Sequence, residues 1–102
     1  MKIKTIDVNA KEWFDKVNGN SYFSGEIVVN YQMKNEQTFI MPFQYGYGEM
    51  YLQIARDVLM KYDCLPVNEF IAYPLTRCCR ENNIPLRHNI KTGCKKKEVE
   101  NV

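Results

Sequence analysis

Four cysteines, one histidine and a cluster of tyrosines around two glycines are the residues of this 102-residue chain whose types and spacing could do chemistry. Cys64, Cys78, Cys79, Cys94 and His88 offer the thiolates and imidazole that zinc prefers. Their spacing is irregular, no C-x-x-C pair occurs, and neighbouring helical residues such as Cys78 and Cys79 diverge by about 100°. Adjacent cysteines are also a poor frame for two disulfides. The expectation is therefore reduced, buried thiols behaving as small apolar side chains, with no metal and no cofactor. A Cys–His nucleophile would need His88 against one of the thiols, and nothing in the spacing demands it. Asp15, Glu26, Glu49 and Asp57 are scattered carboxylates that each read as solvated. With no acid–base pair converging on one place, the chain is expected not to be an enzyme.

The second chemical feature is "QYGYGEMY", Gln44 to Tyr51. Gly46 and Gly48 flank Tyr47 just before an amphipathic stretch. Amides at a helix start are unpaired and can face an anion, and a ring beside them could stack on a base. The run is neither a P-loop nor a complete G-x-G-x-x-G. The competing reading is a sharp strand-to-helix turn in which Tyr45 and Tyr51 fill the core. Tyr47 sits outside both periodicities and is the ring the core needs least. Asn18, Asn20 and Tyr22 pose the same choice in an earlier loop, where Asn18-Gly19 is a turn signal. The candidate partner-binding set is thus Asn18, Asn20, Tyr22, Gly46, Tyr47 and Gly48.

Charge adds a third candidate. Met1 to Asn83 carries nine Lys/Arg and ten Asp/Glu, whereas the remainder carries Arg87, Lys91, Lys95, Lys96 and Lys97 against Glu98 and Glu100. Arg77, Arg80, Arg87, Lys91, Lys95, Lys96 and Lys97 could form a basic footprint for phosphates or an acidic partner. The simpler reading of "CKKKEVENV" is a solvated, flexible tail over residues 95–102. The overall pI of about 8.3 is low for a dedicated nucleic-acid binder.

The elements that must position these residues follow from pattern. Hydrophobic content of 45% and charged content of 25% describe an ordinary globular chain with one modest core. No apolar run is long enough for a membrane helix, and the start lacks the apolar h-region of a signal peptide. "KIKTIDVN" reads as a strand, and "AKEWFDKV" as a short helical turn capped by Asn9. "YFSGEIVVNYQM" alternates, with Ile27, Val29 and Tyr31 on one face and Glu26, Val28 and Asn30 on the other. "KNEQ" makes a hairpin loop into "TFIMPFQY", which places Phe39, Met41, Phe43 and Tyr45 on one face; Pro42 marks an edge or a bulge.

Tyr51, Ile54, Ala55, Val58, Leu59 and Tyr62 recur at helical spacing, with Glu49 in the first turn. "CLPVNEFIA" is a linker or a short helix. Pro74 starts a second helix, "PLTRCCREN", that Asn82 or Asn83 ends in a left-handed cap, and "IPLRHNI" is a last strand. The order predicts a single α+β domain over residues 1–94: an antiparallel sheet of three to four strands packed on one or two helices. The other sheet face, or its edge, is left for binding, and an edge could support a homo-oligomer.

"WFDKVNGNSYFS", "PFQYGYGEMY", "LTRCCRENNIPL" and the lysine cluster together resemble a family of small proteins carried by tailed bacteriophages. The family generally has glycine where Asn83 stands, which fits a left-handed cap. No activity, cofactor or site attaches to the family. The resemblance implies a phage accessory protein working in the cytoplasm of a host bacterium, with no membrane role. Such a protein is expected to inhibit a host anti-phage defence, for example CRISPR or nucleotide signalling, by binding a host protein or sequestering a nucleotide ligand. The alternative is a nucleic-acid-binding accessory protein that uses the basic footprint. A phage structural or assembly protein stands behind both.

Overall fold

A computed structural model describes residues 3–62 and 74–101. Four strands form one sheet in the order β3-β2-β1-β4: β1 is Ile6–Asp15, β2 Asn20–Val29, β3 Gln37–Tyr45 and β4 Leu86–Lys91. Among the described residues there are three helices: α1, Met50–Lys61; α2, Leu75–Glu81; and α3, Lys96–Glu100. The α+β class expected from pattern holds. The stretch "CLPVNEFIA" and Cys64 lie outside the described residues.

The first strand is longer than the sequence suggests. Residues 10–15 continue β1 instead of forming a helical turn, because β2 offers a partner to every residue from Ile6↔Val29 to Asp15↔Asn20. An isolated helical turn fixes several dihedrals for one hydrogen bond and cannot compete with that ladder. The hairpin closes at Asn18-Gly19. Gly19 takes φ 71° and donates its amide to Asp15 O at 2.7 Å. The Asp15 carboxylate accepts from the amides of Val17 (3.0 Å) and Asn18 (3.3 Å).

One sheet face carries the core. Ile6, Val8 and Ala10 of β1, Phe23, Ile27 and Val29 of β2 and Met41 of β3 are buried there. Tyr51, Leu52, Ala55 and Leu59 of α1 and Leu75, Cys78 and Cys79 of α2 cover them. The helical stripe read from sequence is thus largely right, with Leu52 added. Tyr62 lies past the helix end, is exposed, and stacks on Phe39 at 5.0 Å. Glu49 is the N-cap residue rather than a first-turn residue, and makes no side-chain cap bond. α2 begins after Pro74 and ends in a Schellman arrangement: Asn83 takes φ 56°, Asn83 N–H meets Arg80 O and Ile84 N–H meets Cys79 O at 2.8 Å.

The sheet is mixed rather than antiparallel. β4 runs parallel to β1, in register from Ile6↔Leu86 to Lys11↔Lys91. The return from β3 to β4 crosses the core face through α1 and α2, and a helical crossover of this kind delivers a strand in the parallel sense.

Alternation also fails inside β3. Phe23 pairs with Gln44 but Gly25 pairs with Met41, so β3 holds one extra residue around Pro42. This bulge sits on an edge strand, where Pro is tolerated. It turns Phe43 and Tyr45 onto the face opposite Phe39 and Met41, against the single face that plain alternation predicts. At the end of β2, Asn30 and not Tyr31 is buried; Asn30 takes φ 57° and its side chain receives the Lys4 amide at 2.6 Å.

The expected flexible tail is a docked strap. Residues after β4 fold back across the second sheet face. Cys94 N–H donates to Glu12 O at 3.1 Å, Ser24 Oγ donates to Val99 O, and Val99 is fully buried. At the start of α3, Glu98 Oε1 accepts from the Lys95 backbone amide at 3.1 Å, and the Glu98 amide donates to Lys95 O at 3.0 Å. One buried valine and these bonds hold a five-residue helix that local propensity alone would not.

Candidate functional site: the aromatic end of the open sheet face

The second sheet face reads as rows across the strands. Arg87, Asp7 and Val28 form one; Asn89, Asn9 and Glu26 the next; then Lys91, Lys11 and Ser24; then Trp13, Tyr22 and Tyr45. The bulge adds Phe43 to the last row. Register therefore gathers the aromatic residues of three strands at one end of the sheet. Trp13 stacks on Tyr22 at 5.6 Å, and Tyr22 on Phe43 at 5.3 Å with planes 8° apart. Tyr45 meets Tyr22 edge-on at 5.9 Å and Tyr47 at 6.4 Å. Tyr45 is 53% and Tyr47 61% exposed.

The geometry answers the question posed by "QYGYGEMY". Gly46 is a packing residue: a Cβ there would strike the ring of Phe23, and its amide donates to Ser21 O at 3.0 Å. Gly48 makes the turn with φ 59° in open space. Tyr51 is core, and Tyr47 is presented outward. The expectation that Tyr45 joins Tyr51 in the core is corrected by the bulge. Trp13, Phe43 and Tyr45 belong to this surface, although pattern did not single them out as site residues. Trp13 was obscured by the helical reading of its segment, and Phe43 and Tyr45 by the assumed alternation.

Asn18 is a turn residue. Its Nδ2 donates to Asp15 Oδ2 at 2.8 Å, and this amide holds the Asp15 carboxyl below the usual carboxylate range, helped by the Asn18 and Val17 backbone amides. Asn20 opens β2 opposite Asp15, at the edge of the aromatic end. Tyr22 stands at the centre of the aromatic cluster.

The basic footprint does not form one stripe. Arg77 and Arg80 project from α2, on the core-covering layer, and Arg77 pairs with Glu81 at 3.1 Å. Arg87 and Lys91 lie on the opposite face, and Arg87 grips Asp7 through Nε at 2.6 Å and Nη2 at 3.1 Å. Lys95, Lys96 and Lys97 ride on the strap. Lys96 Nζ sits 5.5 Å from the Trp13 ring centroid, a cation–π contact.

The cysteines and the histidine are the other reactive groups. Among the described residues no three of His, Cys, Asp and Glu come together in a way that could hold a metal ion. Burial, with the neighbouring Cys78 adding, pushes the Cys79 thiol up to about 11, and burial also raises Cys78. The thiolate is the reactive form, so folded protein at about pH 8 should label at Cys79 with iodoacetamide far more slowly than unfolded protein. Equal rates, read by mass spectrometry, would contradict this picture of a closed thiol. His88 Nδ1 and the Tyr51 hydroxyl share a 2.9 Å hydrogen bond, and the Cys94 thiol donates to Lys91 O at 3.4 Å.

Among the described residues no helix is long and apolar enough to cross a membrane. No family model, no curated protein and no solved structure matches the chain.

Proposed function

We propose that this chain is a non-enzymatic binding protein that engages a protein partner through the aromatic end of its open sheet face. The observation that carries this reading is the contiguous set Trp13, Tyr22, Phe43, Tyr45 and Tyr47, contributed by three strands and a turn, with Tyr45 and Tyr47 more than half exposed. Tyr and Trp are favoured anchors because they bury large area with little loss of rotamer freedom. The stacking favours a protein over a nucleic acid. Trp13, Tyr22 and Phe43 pack against one another as a triangle, with centroids 5.3–6.5 Å apart, and Lys96 Nζ lies over the Trp13 ring at 5.5 Å, so these three rings are engaged with their own neighbours. A base-stacking platform needs free ring faces. The division of the basic residues between two layers weakens the nucleic-acid alternative further.

The biological setting, a phage accessory protein that restrains a host defence in the bacterial cytoplasm, rests on the resemblance of the quoted segments alone. Capture from bacterial lysate, with and without nuclease, tests the reading. Native protein should retain a nuclease-resistant protein partner. Tyr47→Ala should fold within about 1 kcal/mol of native, since an exposed ring leaves no cavity, yet weaken capture by about 1 kcal/mol or more. Tyr45→Ala should act in the same direction. Recovery of nucleic acid alone, lost in high salt, would replace this reading with the alternative.

A further inference from the structure

Beside the aromatic end, the strap roofs a cleft of about 370 Å³ on the same sheet face. Its floor is the two polar rows that register creates: Asn89–Asn9–Glu26 and Lys91–Lys11. Asn89 Nδ2 donates to Asn9 Oδ1 at 2.6 Å. Whichever way the two amides are turned, that bond leaves one N–H donor group and one carbonyl acceptor side by side. Lys11 and Lys91 are direct neighbours on adjacent strands, and like charges so placed repel. Glu98 of the strap lines the same cleft, its Oε1 accepting from the Lys95 backbone amide at 3.1 Å. Its carboxyl is held below the ordinary range by the Lys95 backbone amide first, and then by Lys91, Lys11 and Lys95.

We propose that this cleft is a binding site for a nucleoside monophosphate, whose phosphate lies at Lys11 and Lys91 while its base edge meets the Asn9–Asn89 amides and Glu26. Lysine is a common phosphate partner, and the amide pair offers the adjacent donor and acceptor that a base edge complements. Glu26 selects for N–H donors and against a ligand that is carboxylate throughout. The volume lies in the range of small-molecule sites. Glu98 lines the same cleft and its carboxylate opposes a phosphate there.

The site is separate from the aromatic end, and its test needs no partner. The purified full chain is titrated with inorganic phosphate and with each ribonucleoside monophosphate, by calorimetry and amide chemical shifts. At least one nucleotide should bind more tightly than phosphate and shift Asn9, Lys11, Asn89 and Lys91. The Lys11→Gln/Lys91→Gln chain should bind it about tenfold more weakly, the loss expected for a charge-assisted contact. Lys11→Arg/Lys91→Arg, which keeps both charges, should retain binding and serves as the folding control. Glu98→Gln keeps an acceptor for the Lys95 amide but removes the competing charge, so it should bind several-fold more tightly. Absence of nucleotide binding, affinity no better than that of phosphate, indifference to the lysine-to-glutamine changes, or no gain in Glu98→Gln would each overturn the proposal.

Discussion

Asn30→Ala should lower the stability of this protein by about 2–4 kcal/mol, a large loss for truncating one buried polar side chain. Asn30 is fully buried at the end of β2. Its Oδ1 accepts from the backbone amides of Lys4 (2.6 Å) and Thr5 (3.3 Å), and its own amide donates to Thr5 O at 3.0 Å. The side chain thus ties the segment entering β1 to the loop leaving β2. Alanine removes the acceptor from two part-buried amides, and leaving such donors unpaired costs about 1–3 kcal/mol. It also places a Cβ without a compensating polar group at φ 57°, which costs about 1 kcal/mol more. Asn30→Gly separates the two effects, because glycine takes positive φ freely but offers no acceptor. Urea melts should rank native, then Gly, then Ala. An alanine variant within about 0.5 kcal/mol of native would sink the account, and a glycine variant equal to native would leave backbone strain as the whole effect.

Gly46→Ala should destabilise by about 2–3 kcal/mol, through overpacking. The added Cβ would meet Cε1 and Cδ1 of Phe23, a ring that is 1% exposed and held in the core. The Gly46 amide is bonded to Ser21 O, so the backbone is not free to retreat. Two residues on, Gly48→Ala has open space around it and should cost only the left-handed penalty, about 1 kcal/mol. Thermal melts of the two variants distinguish a packing glycine from a conformational one. If Gly48→Ala proves the more damaging, the assignment of roles within "QYGYGEMY" is reversed.

Local chemistry was legible in the sequence. The Asn18-Gly19 turn, the bulge or edge at Pro42, the stripe of α1, the start of α2 at Pro74 and the left-handed Asn83 each follow from a few neighbouring residues, because dihedral preference and periodicity act over one or two turns of chain. Tyr47 was legible for the same reason: a ring between two glycines belongs to neither period. The α+β class followed from the order of such elements.

What decided the candidate site was not local. "AKEWFD" carries a helical reading until β2 lies beside it and pairs all of it, and only then does Trp13 face Tyr22. One extra residue in β3 reverses the side on which Phe43 and Tyr45 emerge, and its position depends on the β2 partner. Lys11 and Lys91 are eighty residues apart and become neighbours only because the helical crossover returns β4 parallel to β1. "CKKKEVENV" reads as a solvated tail by charge, yet Val99 finds a pocket on the sheet that its own segment could not supply. Hydrophobic pattern and turn chemistry specified which elements form; strand partnership and burial, which act between residues distant in the chain, decided which side chains share a surface.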